Sequence, residues 1–285
     1  MSAANEQQIS DWNGATGARW LANQEWLDRS LSTYGAAALT AARARPGEAV
    51  LDIGCGAGAT TLDLARQVLP GGTMVAVDIS EPLIGRARER AKALELAIDF
   101  KLADASAHPF KPAAFDLLFS RFGVMFFDDP VAAFSHLRET LRAGGRLAFV
   151  CWRSMGENDW FKVPLGAVLD ILPPLPPAEP FAPGPFAFGD RRRVDGILRQ
   201  AGFANVAFAP FDAPVLLGLG ETRQAAVDDA VDQALRVGPL PRLLAEQTDD
   251  LRERATAAIR KALAGCATAD GVAVFGAAWI VTATA

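Results

Sequence analysis

Between residues 46 and 152, short runs rich in Val, Ile, Leu and Phe alternate with helical stretches, and this alternation constrains the fold more than any other feature. Residues 49–53, AVLDI, read as a buried strand, followed by the glycine turn GCGAG and a helix over 59–69. Gly71-Gly72 turns the chain into a second strand, 73–77, which ends in Asp78. A helix over 82–94 carries Leu83, Ala87, Ala91 and Leu94 at three- and four-residue spacing. A third strand over 98–102 ends at Ala103-Asp104, and a fourth covers 115–119. A helix over 131–141 closes at Ala143-Gly144-Gly145, and 146–152 is the fifth strand. Strands joined through helices need right-handed crossovers, so the expected core is a doubly wound α/β fold with a parallel sheet.

Beyond Trp152 the texture changes. Residues 173–185, PPLPPAEPFAPGP, hold too much proline for a helix or a central strand, and read as a rigid connector or lid. A helix over 191–201, closed by Gly202, and a strand from Val206 come next. Residues 221–264 read as wholly helical, and 272–282 as a last strand. No internal repeat is visible. The economical account is one domain over 1–285, with a binding core at 46–152 and cap or substrate-side elements at 1–45, 153–190 and 221–264.

At 51% hydrophobic and 21% charged, the chain can bury a sizeable core. Its net charge of -5 argues against a large sequence-independent nucleic-acid footprint, and Arg191-Arg192-Arg193 reads as a solvated helix start. The N-terminus is polar, with no secretory signal, and the nearly apolar C-terminal run is too short to span a bilayer. Three cysteines, Cys55, Cys151 and Cys266, form no C-x-x-C pair; they fit a reducing compartment and argue against structural zinc. The expectation is a cytoplasmic enzyme acting on a small molecule, without a nucleic-acid or membrane partner and without a metal.

In an open α/β sheet, ligands sit beyond the carboxyl ends of the strands. Gly54, Gly56 and Gly58 lie there, and glycine permits positive φ and close approach by a ligand. The following helix offers free N–H groups, and Asp78 stands ready for ribose hydroxyls. Both a dinucleotide and an adenosyl methyl donor fit this much, since G-C-G-A-G-A satisfies the relaxed G-x-G-x-x-[GA] pattern. Two further acids favour the methyl donor. Asp52, before the glycines, suits a ligand with an amino group and would repel a pyrophosphate; Asp104, with Ala105, can accept from the adenine amine.

LDIGCGAG, AVDIS, LADA, FDLLFSRFGVMFF and LRAGGRLAFVCW together resemble successive motifs of the class I S-adenosylmethionine-dependent methyltransferases. The resemblance is strongest to the bacterial small-molecule group that includes the ubiquinone- and menaquinone-biosynthesis type. It covers residues 46–152, and more loosely 186–210 and 271–284. It implies a Rossmann-like seven-stranded sheet with an antiparallel last strand, helical insertions forming a lid, and S-adenosylmethionine as cofactor. It also implies site roles. Asp52, Gly54, Cys55, Gly56 and Gly58 line the methionine and ribose side, and Asp78 with Ile79 holds ribose and adenine. Asp104 and Ala105 border the adenine, while Ser120 and Arg121 sit beside the sulfonium.

Methyl transfer from a sulfonium is an in-line displacement that depends on alignment, and a general base helps for a hydroxyl or protonated amine. Of the two histidines, His136 lies in a helix and reads as structural, whereas His108 leaves the third strand four residues after Asp104 and is the candidate base. Arg121 is the candidate for orienting an anionic substrate. Trp12, Trp20 and Trp26, with Trp160, Phe161 and Phe181, are candidates for an apolar or aromatic acceptor pocket. Trp12 and Trp20 are two helical turns apart, so an N-terminal helix carrying both would close over the cofactor. Two other classes stay open: a non-catalytic S-adenosylmethionine-binding scaffold, and a nicotinamide-dependent oxidoreductase. The second would need a donor such as Tyr, and the single Tyr34 precedes the whole sheet.

Overall fold

Five buried residues in a row make β1 (Ala49–Ile53) a strand covered on both faces, as the centre of a parallel sheet requires. The computed structural model describes residues 3–173, 179 and 181–285. Four helices precede that strand: α1 (Ala3–Asn13), α2 (Ala15–Ala22), α3 (Gln24–Ser30) and α4 (Ser32–Ala42). After it the expected alternation follows: α5 (Ala59–Val68), β2 (Thr73–Asp78), α6 (Glu81–Ala93), β3 (Asp99–Leu102), β4 (Phe115–Arg121), α7 (Pro130–Glu139) and β5 (Leu141–Trp152). The C-terminal half supplies α8 (Asp159–Gly166), α9 (Arg191–Gln200), β6 (Ala204–Gly218), α10 (Arg223–Arg236), α11 (Leu240–Ala245), α12 (Asp249–Gly265), β7 (Ala267–Thr268) and β8 (Gly271–Thr284).

The strands lie in the order β3-β2-β1-β4-β5-β8-β6, with the two-residue β7 paired to the start of β8. β1 to β5 run parallel to one another, and β8 runs antiparallel to both β5 and β6. Seven strands thus form the main sheet with the last one reversed, and β7 is a small addition that Asp270-Gly271 turns back onto β8. Strand order reverses between β1 and β4, which opens a crevice at their carboxyl ends. At the outer edge, β6 carries Pro210 and Pro214. Proline donates no ladder hydrogen bond, so both residues suit an edge and resist pairing with another chain.

Several boundaries differ from the sequence-based expectation for identifiable reasons. Helix α7 starts at Pro130, whose fixed φ suits the first helical position, under an Asp129 cap that accepts from Ala132 N–H. It ends before Leu141, because that residue already pairs with Phe115 in the sheet; residues 142–145 then bulge before Arg146 meets Leu117. Residues 221–264 are three helices rather than one. Gly238 at φ +94 with Pro239 breaks the first from the second, and a Thr248 cap on Leu251 N–H starts the third. In the basic run 191–193, Arg191 and Arg192 are exposed, as expected of a solvated helix start, and Arg193 is half-buried. Asp190 caps the run, Arg193 lies over Phe181 and Phe188, and Arg191 lies over Phe208. Most of the proline connector, at 174–178 and 180, lies outside the described residues.

Candidate functional site

A cavity of about 450 Å³ occupies the crevice at the carboxyl ends of the strands. Its described lining runs from Asn5 to Ala133, so the N-terminal helices and the β1–β4 ends build it. No residue of 153–190 or of 221–264 lines it among the described residues. The described parts of those two segments pack elsewhere. Trp160 packs on Trp152 and Phe186, Phe161 packs on Phe186 as well, and α10 and α12 stack with β6 and α8 at the far end of the sheet. Phe181 is likewise placed elsewhere, exposed beneath Arg193.

The glycine loop forms the floor. Gly54, Gly56 and Gly58 all take positive φ, at +68, +53 and +83. Each has its own reason. A Cβ on Gly54 would stand 2.7 Å from the Cα of Gly123, and one on Gly58 would stand 3.1 Å from the Cβ of Ala87. A Cβ on Gly56 would meet nothing within 4 Å, because that residue faces the cavity. The loop is held by Asp78, whose Oδ2 accepts from Gly56 N–H at 2.7 Å and Oδ1 from Ser80 N–H at 2.9 Å. Cys55 lines the cavity as well, and burial pushes its thiol well above its usual range. It is a packing residue, not a thiolate.

The remaining predicted residues divide into those in the wall and those behind it. Asp78, Ile79, Asp104, Ala105, Trp20 and Arg121 line the cavity. Asp104 is oriented by Ser106, whose N–H and hydroxyl donate to Oδ1, and by the Asn5 amide, which donates to Oδ2 at 2.7 Å. Asp52 lies beneath the loop and Ser120 lies behind it, and neither lines the cavity. The Ser120 hydroxyl donates to Ile53 O and accepts from Gly123 N–H, bracing the ends of β1 and β4 against each other. His108 stands outside the cavity, its ring edge-on to Phe110 at 4.5 Å, and His136 reaches the carbonyl of His108. No histidine therefore faces the cavity among the described residues.

Asp52 is the most perturbed of the acids. It is 1% exposed, accepts from the Thr61 hydroxyl at 2.6 Å, and leaves Oδ1 without a partner among the described residues. Burial pushes its pKa up to about 7, against the Thr61 hydrogen bond and the Arg121 charge. Asp78 is raised too, again by burial. An acid raised in the folded state holds a proton that the unfolded chain has already lost. Stability therefore falls as pH rises from about 4 to about 7. Asp52→Asn is expected to flatten much of this slope in urea unfolding at pH 5 and pH 8. The same slope in both proteins would contradict the assignment.

The roof was only partly legible in the sequence. Trp12 and Trp20 sit on separate helices, α1 and α2, broken at Gly14, and their rings meet edge-to-face at 5.3 Å. Trp12 also packs on Phe126 from the opposite wall at 5.6 Å. The roof is tied down by polar contacts: Ser80 Oγ donates to Trp12 O, and the Asn13 amide donates to Ile79 O while accepting from Glu81 N–H. Gly17 permits the tight α1–α2 turn, since a Cβ there would stand 1.9 Å from Trp12 O. Trp26 takes another role, donating to Leu217 O and anchoring α3 to β6. Asn5, Gln24 and Asp28 are wall residues that sequence reasoning missed. Only helix docking brings them to the site.

Residues 50–145 match the family model of the methyltransferase domain. That match covers about a third of the chain, from β1 into β5, and the sheet around it has a Rossmann-like strand order with the last strand reversed. Among curated proteins, an uncharacterised 37.1 kDa protein in transposon TN4556 of Streptomyces fradiae is 35% identical over 140 residues, 47% of this chain and 39% of that protein. Nocamycin O-methyltransferase of Saccharothrix syringae is 34% identical over 178 residues, 57% of this chain and 61% of that protein. The chain thus spans less than two thirds of either relative's length. Among solved structures, the YcgJ protein from Bacillus subtilis superposes with a TM-score of 0.57 at 16% identity, over 90% of this chain and 97% of its own. That likeness concerns the fold. Among the described residues no helix is long and apolar enough to cross a membrane.

Proposed function

We propose that the protein transfers the methyl group of S-adenosylmethionine to a small, apolar or aromatic acceptor by in-line displacement. One observation carries the reading. A single cavity of suitable size takes its floor from a positive-φ glycine loop, its acids from the ends of β2 and β3, and its roof from two tryptophans. The residues fit the donor. Gly56 leaves open space where a Cβ would stand, and the oxygens of Asp78 and Asp104 are fixed by backbone and side-chain donors. In this reading Asp78 holds the ribose, Ile79 and Ala105 sandwich the adenine, Asp104 accepts from its amine, and Gly54, Cys55 and Gly56 back the methionine portion. Asp52 acts from beneath the loop, where its hydrogen bond with Thr61 ties β1 to α5.

When bound, the donor supplies an electrophilic methyl carbon with a neutral thioether as leaving group. The protein's part is alignment and exclusion of water. Trp12, Trp20, Phe122 and Phe126 give the acceptor side an apolar wall. His108 points elsewhere, so this reading assigns it no proton transfer. The name of the relative from Saccharothrix syringae makes an oxygen acceptor the first to try. The motif runs around residues 50–58 and 141–152 support the ubiquinone- and menaquinone-type subgroup, so quinols belong in the same panel.

The test is transfer of a labelled methyl group from S-adenosylmethionine to a panel of phenols, quinols and apolar acids. Trp20→Ala removes roof surface worth roughly 2 kcal/mol of burial. It is expected to weaken S-adenosylhomocysteine binding about tenfold and to slow turnover. Unchanged affinity and unchanged turnover would remove the roof from the account.

A further inference from the structure

Arg121 is an anomaly. Its side chain is 15% exposed, yet its guanidinium donates no hydrogen bond to any described residue, and its ion pair with Asp28 is long, at 3.9 Å. Guanidinium carries five donors and keeps its charge in proteins, so those of Arg121 are open to a ligand. Asp28 is engaged elsewhere: its Oδ2 pairs with Arg90 at 2.9 Å and accepts from the Gln24 amide.

Arg121 also stands between two cavities. It lines the donor-sized cavity and a second one of about 590 Å³ between α4, α5 and α6; among the described residues, Asp28 is the only other one common to both. The second cavity has an apolar side, from Leu39, Leu62 and Leu94. Its cationic side is Arg66, Arg90 and Arg121, and Asp28 and Asp63 supply the opposing charge. Arg66 is occupied by Asp63 at 2.8 Å, and Arg90 by Asp28 and by the Ala57 carbonyl. Of the three, Arg121 is the one that donates no hydrogen bond to a described residue, and it lines both cavities.

We propose that the second cavity is a binding site for an amphipathic carboxylic acid, its apolar body lying along α4, α5 and α6 and its carboxylate held by Arg121 at the junction. Calling this ligand the methyl acceptor rests on the function proposed above; the binding site does not. Arg121 matches a carboxylate in a two-pronged geometry that lysine cannot reproduce. Leu94, 45% exposed, gives the apolar body of the acid a contact near the end of α6.

The probes are decanoate and its neutral counterpart methyl decanoate, titrated calorimetrically into the full chain, with S-adenosylhomocysteine titrated separately. Decanoate is expected to bind about tenfold more tightly than the ester, the worth of one charge-assisted pair. Arg121→Gln is expected to erase that preference while the ester binds as before. Asp28→Asn removes the competing carboxylate and is expected to strengthen decanoate binding several-fold. The opposite signs of these two changes separate recognition from damage to the fold. Equal affinity for acid and ester, or weaker decanoate binding in Asp28→Asn, would overturn the proposal. Failure of S-adenosylhomocysteine to bind would instead sink the donor reading and leave the acid site standing on its own result.

Discussion

Asp78→Ala is expected to weaken S-adenosylhomocysteine binding by at least about a hundredfold. The carboxylate serves both the loop and the ligand. It accepts from Gly56 N–H and Ser80 N–H, so its removal leaves two amides without their partner and frees the loop that forms the cavity floor. Hydrogen bonds to charged groups are worth about 1.5–3 kcal/mol each, and two or three of them amount to two or more decades of affinity. Asp78→Asn keeps one accepting oxygen but turns an amide NH2 toward a backbone N–H, so it is expected to fall between wild type and Ala. Calorimetry on all three, beside their thermal unfolding, checks this. Affinity within threefold of wild type in the Ala variant would remove Asp78 from the site.

Gly54→Ala and Gly56→Ala are expected to fail in different ways, although they lie two residues apart in one loop. At Gly54 a Cβ would combine a left-handed backbone with a 2.7 Å contact to Gly123, whose own Cβ position is closed by Ile53 O at 2.6 Å. Strain of about 1 kcal/mol and overpacking of about 1–3 kcal/mol add, and the variant is expected to melt several degrees lower. At Gly56 the space is open, so the backbone cost alone remains and melting shifts little. There the new methyl enters the cavity, and ligand affinity is expected to drop about tenfold or more. Equal losses of stability in the two variants would contradict the packing described for Gly54.

The parts of this molecule legible in its sequence are those dictated locally. A strand buried on both faces reads as a continuous apolar run, and a loop needing three left-handed residues reads as three glycines, so β1, the loop and α5 fall where expected. The acids ending β2 and β3 were legible for the same reason, because strand ends point at the crevice. What a side chain faces was less legible. Asp52 and Ser120 sit within strand ends, where successive side chains alternate between faces, and both point away from the cavity. Break signals were present in 221–264, at Gly238-Pro239 and Thr248, but helical composition on both sides masked them. The roof depends on tertiary docking. Asn5, Asn13 and Asp28 touch residues dozens of positions away, and no local pattern announces such contacts.

The central claim is that the cavity above the glycine loop holds an adenosyl methyl donor. Calorimetric titration of the wild-type protein with S-adenosylmethionine, S-adenosylhomocysteine and NAD tests it most directly. Micromolar-range binding of the first two, with no heat from NAD, is the predicted result. Binding of NAD alone, or of none of the three, would contradict the account.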